Sequence, residues 1–508
     1  MKAFAISGYN RERGADELII YNGSGNTKTN SYGFEACVVD GRVISCGKNN
    51  NVIPNDGFVV SGHGAAADFL AENICIGARA EIDEANGVFI AEIDNTAKQI
   101  ETENNIYKIN NRIRERVAEG SSFDKQTAEK LLMQAVAAKD GGDLEKANAL
   151  CEEAYYYTAA SVKGEIRAVW HRPHEKSDAE VEATVAKLKD AGFNLILIET
   201  NYEGYANAQK CVHDYLPIRP HYKDGFDVID SFIRICKQNG VKIHCWFEDF
   251  FFGVEGHGCP MADVHPEWMA RRKDGGILHD AFDNFYFLNP ALDEVQEFLL
   301  NSVKEILDNY DFDGFQLDYI RYPVIHGVDR SAGFEETTKA EFLKDTGIVL
   351  DDIPDTNCEE WKKFLYWRAE KVTKYVKSVR DLILEYRANG RDIVLSTAVF
   401  GDPVEAINLK CQNWQYWVKQ GWLDAIYPMA YLNVAEDVGN EVAYMVKNYG
   451  EASNISGISP MYNKLPVIES TKQVEECRKA GATGIAFFCA SNCTPVQLEK
   501  LKIGVFRD

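Results

Sequence analysis

The chain has 508 residues, 45% of them hydrophobic and 26% charged, with a formal net charge of −23. That is a soluble globular composition with no room for long disorder, and the length suits roughly two to four domains, fewer if one is a large α/β barrel. A surface this negative, with no Lys/Arg cluster to interrupt it, excludes nucleic acid as a partner.

The opening MKAFAISGYNRERG is too poor in apolar residues for a secretory or membrane-spanning segment. The expectation is no membrane and a cytoplasmic protein, or a secreted one if a signal has been trimmed. Residues 1 to about 100 carry short β-like runs, ELIIYN, FEACVVDGRVISCG, DGFVVSGHG and GVFIAEID, separated by turn signals. They predict a small, mainly antiparallel domain over 1–100. Residues 101–163 change character: SSFDKQTAEKLLMQAVAAKDGGDLEKANALCEEAYYYTAAS has apolar positions at helical spacing, broken by DGGD. This predicts a helical hairpin linker, with Tyr155, Tyr156 and Tyr157 as packing residues.

From residue 164 to 508 short apolar runs alternate with amphipathic segments. The runs are EIRAVWHRP, NLILIETNYEG, KIHCWFEDFF, GFQLDYIRYP, DIVLSTAVFG, DAIYPMAY, ISGISPMYN and GIAFFCASN. Eight such runs predict an α/β fold, a (β/α)₈ barrel. Roughly 340 residues remain for it, more than the ~250 typical, so long loops are expected after the third and fourth runs.

In such a barrel, ligands meet the C-terminal ends of the strands. Five acids pass that filter: Glu199, Glu248, Asp249, Asp318 and Asp402. Side chains alternate along a strand, so Gln316 and Asp318 are expected to point inward and Phe315 and Leu317 outward. Glu248 shares a face with His244 and Trp246, and carboxylates on neighbouring strand ends can reach the ~5–9.5 Å separation used by glycosidases. One acid kept protonated gives a proton to the leaving oxygen, while the other attacks or activates water. Asp249 reads instead as a solvated loop acid. The expected catalytic groups are Asp318 and Glu248, with Glu199 and Asp402 in reserve.

The other strand ends are aromatic and polar, which suits the C–H faces of sugar rings. The expected substrate contacts are Trp170, His171, Tyr202, His244, Trp246, Arg321, Tyr427, Tyr431 and Tyr462. Arg321 is also the obvious partner for Asp318. No GxSxG, HExxH or strand-following GxGxxG is present. HRPH at 171–174 raises the question of a metal, but later strands offer no complement, so no metal and no cofactor is expected. The segment EGHGCPMADVHPEW (255–268) reads as a lid. Thirteen cysteines without a CxxC pair, several within apolar runs, read as buried thiols in a reducing compartment.

EIRAVWHRP, ETNYEGY, HCWFE, HPEW, FYFLNP, DGFQLDYIRYP and YPMAY together resemble the family-10-like glycosyl hydrolase barrels of bacteria, over about residues 164–490. The resemblance implies a TIM barrel acting on glycosides, with Asp318 of the DGxxxDYxRYP motif as a catalytic carboxylate. Relatives in the broader α-amylase group carry an arginine two residues before the corresponding acid; here that position is Gln316. The first hundred residues resemble the small β domain that often precedes such barrels, which implies support or carbohydrate binding. The function expected is a glycoside hydrolase acting on an oligosaccharide or glycoside. The rival readings are a non-catalytic carbohydrate-binding protein on a barrel scaffold and a metal-dependent hydrolase.

Overall fold

A computed structural model describes residues 1–8, 15–29, 33–47, 49–280 and 284–507. The chain divides into two compact units, Met1–Val162 with Ile503–Val505, and Lys163–Lys502 with Phe506–Asp508.

The first unit holds a seven-stranded antiparallel sheet, ordered Lys2–Ala5, Val88–Glu92, Arg79–Asp83, Arg42–Cys46, Phe34–Val39, Gly57–His63 and Glu17–Tyr21. Its tightest hairpin turns on Asp40 and Gly41, both at positive φ, which matches the twist of the flanking strands. The helix Ala65–Asn73 covers one face and buries Ala66 and Leu70 against Leu18, Val38, Val60 and Phe89. The helical part contains three helices, not two: Asn95–Ala118, Lys125–Asp140 and Leu144–Tyr157. The first of these is so polar that its few buried positions, Ala97, Thr102, Ile109 and Ile113, barely mark a face in the sequence. Tyr156 is buried, and Tyr155 and Tyr157 pack against the bundle core around Ile109, Ile113 and Cys151.

The second unit is a closed eight-stranded parallel barrel. Its strands are β1 (Ile166–His171), β2 (Leu195–Glu199), β3 (Lys242–Glu248), β4 (Gly314–Asp318), β5 (Val394–Val399), β6 (Ala425–Pro428), β7 (Ser453–Ile458) and β8 (Gly484–Phe487). Helices between them start and stop where the sequence signals: Ser177 caps Asp178–Asp190, and Asp227 caps Val228–Asn239, which ends on left-handed Gly240. Long excursions follow β3, which builds a small antiparallel sheet from Phe251–Val254, Phe285–Phe287 and Leu278–His279, and β4, which runs to the helix Glu359–Ala388.

The barrel interior is packed. Trp170, Leu197, Trp246, Tyr427 and Ile455 form its buried core with Ala168, Ala425 and Ala486. Trp170 Nε1 donates to Gln316 Oε1 at 2.7 Å although β1 and β4 are not neighbours, so the bond crosses the barrel. Gln316 therefore points inward, while Phe315 packs outward on Phe247, their ring centroids 5.6 Å apart. The register pairs Glu248 directly with Asp318 and Trp246 with both Gln316 and Glu199. All thirteen cysteines are unpaired, and most are buried.

Candidate active site

Three carboxyls close the C-terminal ends of three consecutive strands: Glu199 on β2, Glu248 on β3 and Asp318 on β4. Because Glu248 and Asp318 are register partners, their side chains leave the strands in the same direction from backbones about 4.8 Å apart. Glu199 is level with Trp246, one layer below Glu248.

The three acids have different surroundings. Asp318 borders a cleft of about 150 Å³ and is partly exposed. Its Oδ2 accepts from Trp246 Nε1 at 2.9 Å and its Oδ1 from the backbone N–H of Tyr319 at 2.6 Å. Tyr319 reaches that position with a left-handed backbone, φ 47°. Burial raises the Asp318 carboxyl above its ordinary value, while the two donors and the charges of Arg321 and Arg172 oppose the rise. Glu199 is 1% exposed, and its Oε1 accepts from Arg172 Nε at 2.9 Å. Burial pushes it up to about 7 against the pull of Arg172 and Arg219. Glu248 is fully buried, with neither carboxyl oxygen hydrogen-bonded. Its nearest counter-charge is Arg172 Nη2, 3.8 Å away, and burial followed by repulsion from Glu199 drives its carboxyl well above the usual range. Such a setting disfavours the charged form. The backbone of Glu248 is clamped by Asn201, which donates to its carbonyl (2.8 Å) and accepts from its N–H (3.2 Å).

The cleft wall is aromatic: Trp170, Trp246, Tyr319, Phe400, Tyr431 and Phe488 line it, with Arg172 and Arg321 as its cations. Of the expected contacts, Trp170, Trp246, Arg321 and Tyr431 lie here. Arg321, however, turns to Asp280, 3.6 Å away, and donates to the carbonyl of Tyr322 rather than pairing with Asp318. Tyr202 stands beside the cleft with Arg172 and Arg219 over its ring at 4.3 and 4.6 Å. Tyr427 is buried beneath it, its ring 5.8 Å from Trp170.

Other expected residues lie elsewhere. His171 faces outward, because its neighbour Trp170 faces inward; its ring packs on Phe232 and its Nε2 lies 3.1 Å from Glu175. His244 shares the inward face of Glu248 but sits four residues, about 13 Å, lower, level with Gly314 at the bottom of β4. Burial lowers its pKa to about 4, so it is neutral there. Asp402 is exposed and caps the helix Pro403–Lys410, its Oδ1 accepting from the backbone N–H groups of Val404 and Glu405. Tyr462 is 58% exposed and touches Phe488 edge-on. Asp249, read as a solvated acid, is instead fully buried, and its Oδ1 accepts from Tyr375 at 2.8 Å.

His171, His174 and Glu175 bring three ligand-type atoms within 4.8 Å of one another. The Glu175 oxygens already accept from Thr184 Oγ1 (2.7 Å) and the backbone N–H of His174 (3.0 Å), besides their contacts with His171, and these protein groups account for the burial of that carboxylate. Sequence reasoning missed Arg172, Asn201, Phe400 and Phe488. Arg172 and Asn201 follow strand ends and could have been found by the filter that picked Glu199.

Residues 165–453, more than half of the chain, match the family model described as glycosyl hydrolase-like 10. A glycosyl hydrolase of Bacillus subtilis, YngK, is 22% identical over 310 residues, 53% of this chain and 54% of its own. An S-layer-related protein of Niallia circulans is 26% identical over 260 residues, 44% of this chain and 16% of its own. The chain thus spans little more than half, or much less, of these relatives. The glycoside hydrolase domain of PgaB (BpsB) from Bordetella bronchiseptica superposes with a TM-score of 0.53 at 13% identity, covering 68% of this chain and all of that domain. On the family match, the chain belongs to the glycosyl hydrolase-like 10 family.

Proposed function

We propose that the barrel hydrolyses O-glycosidic bonds, with Asp318 as nucleophile or base and Glu248 as general acid. The observation that carries this reading is the register pairing of Glu248 with Asp318, which sets a carboxyl with two hydrogen-bond donors beside a buried carboxyl with none at neighbouring strand ends. Two carboxyls with unlike surroundings are what glycoside hydrolysis requires. Trp170, Trp246, Tyr431 and Phe488 offer apolar faces to a sugar ring, and Arg321 lines the same cleft as a donor for its hydroxyls. That two relatives are named as glycosyl or glycoside hydrolases supports the class. The unpaired cysteines favour a reducing compartment; no helix among the described residues is long and apolar enough to cross a membrane.

The test compares wild type and Glu248→Gln on aryl glycosides with good leaving groups and on alkyl glycosides with poor ones. A lost general acid should cost at least about 10²-fold on the alkyl glycosides and far less on the activated ones. Equal losses on both would remove Glu248 from the acid role, and no turnover by wild type across the panel would overturn the hydrolase reading. A second reading, sugar binding without turnover, draws on one observation: both Glu248 oxygens are sealed from the cleft. Saturable sugar binding by a wild type that cleaves nothing would favour it.

A further inference from the structure

Arg172 is the cation nearest the buried acids, and nothing in the function just described assigns it a task. Its loop is tightly held. The side chain of Glu175 takes donors from Thr184 and from the backbone of His174 on one side of the turn and contacts His171 Nε2 on the other. The residues flanking Arg172 are thereby fixed by a single buried carboxylate. The guanidinium is held as well: its carbon lies over the rings of Tyr202, Trp246 and Phe488 at 4.3, 5.2 and 5.8 Å. From that seat Nε reaches Glu199 and Nη2 reaches toward Glu248.

We propose that Arg172 is a positioning residue that decides where the pair's proton resides: its Nε donor fixes negative charge on Glu199 and so leaves the proton on Glu248, beside Asp318. This rests on the hydrolase reading for its purpose, but not for its test. The geometry is unequal in the required sense. Glu199 has a direct donor, whereas Glu248 has only a charge at 3.8 Å and no hydrogen bond. A buried carboxyl without a donor takes a proton in preference to charge. Glu199 faces Arg172, Arg219, Glu248 and Asp318, and Glu248 faces Arg172, Glu199, Glu203, Asp318, Tyr202 and Tyr319. Arg219 is shared, since Glu203 lies 3.7 Å from its Nη2 and its guanidinium also donates to the carbonyl of Tyr202. Among the described residues, Arg172 is the one cation within ion-pair distance of both members.

The experiment needs no substrate. The infrared C=O band of protonated buried carboxyls is titrated with pH in the full-length wild type, Glu248→Gln, Arg172→Gln and Arg172→Lys. Wild type should keep at pH 8 a protonated-carboxyl band that Glu248→Gln loses, beside the band of buried Asp249, while Glu199 ionises near pH 7, as does Glu441, whose charged neighbours are Asp402 and Glu405 and whose step Arg172 variants should leave in place. In Arg172→Gln the Glu199 step should move up by about 1–3 pH units, the size of an opposite charge at contact, so that one more carboxyl than in wild type stays protonated at pH 8. An unmoved Glu199 step in folded Arg172→Gln overturns the proposal. Should that variant not fold, Arg172→Lys keeps a charge but loses the Nε donor, and a smaller upward shift is expected; no shift overturns it equally. A chain that hydrolyses no glycoside sinks the hydrolase reading and leaves this titration to decide the role of Arg172.

Discussion

Trp246→Phe separates the electrostatic role of one hydrogen bond from the packing around it. Trp246 fills the barrel core while its Nε1 donates to Asp318 Oδ2 at 2.9 Å, one of two hydrogen bonds that stabilise the charged carboxylate. Phenylalanine keeps an aromatic ring in the core and deletes that donor. A hydrogen bond to a charged group contributes about 1.5–3 kcal/mol, which is about 1–2 units of pKa at 1.36 kcal/mol per unit. The direction is fixed: losing a donor to the anion raises the Asp318 pKa further. Asp318 must be ionised to act as nucleophile or base, so the acid limb of the kcat/KM profile should move up by about 1–2 pH units, with the alkaline limb little changed. The smaller ring also leaves a void, and a stability loss of about 1–3 kcal/mol by denaturant titration is expected alongside. An acid limb that stays in place in a folded Trp246→Phe variant would refute the reasoning, because the carboxylate would then not depend on this donor.

Other consequences follow from residues placed away from the cleft. His244 is buried with a pKa lowered to about 4. Between about pH 6.5 and 4 the unfolded chain binds a proton there that the folded chain does not, so stability falls as pH falls through this window, by up to about 3 kcal/mol. Replacing His244 with Leu should flatten that part of the stability profile, whereas an unchanged slope would show that another group carries it. Asp402→Ala should cost about 0.5–2 kcal/mol of stability, the worth of an N-cap, and leave kcat/KM within about twofold. A loss of about 10²-fold would instead restore Asp402 to the chemistry.

The barrel was legible because each strand is an apolar run ended by polar residues, and helices such as Asp178–Asp190 and Val228–Asn239 between them carry their own caps. The inward direction of Asp318 followed from alternation alone, and Gln316 proves it by bonding across the barrel to Trp170. The same rule, applied to β1, puts His171 outside once Trp170 is inside; an imidazole beside a tryptophan at a strand end reads as a site residue only if parity is ignored. Alternation gives a face but not a height, which is why His244 shares the side of Glu248 yet lies at the far end of the strand. Asp402 carries a different signal, an Asp directly before a Pro that opens a helix, which is the chemistry of a cap. Arg172 was hidden in HRPH, where the histidines draw attention to metal chemistry. Its role depends on carboxylates 27 and 76 positions away in the sequence, and no local pattern records that meeting. The polar helix Asn95–Ala118 was illegible for a related reason: its few buried positions make too thin a stripe to set a period.

The most direct measurement is turnover by Asp318→Asn, which keeps the side chain's size and removes its charge, on the glycoside that wild type cleaves best. A folded variant at least about 10²-fold slower than wild type is the expected result. Turnover equal to that of wild type would contradict the central claim that Asp318 acts on the glycosidic bond.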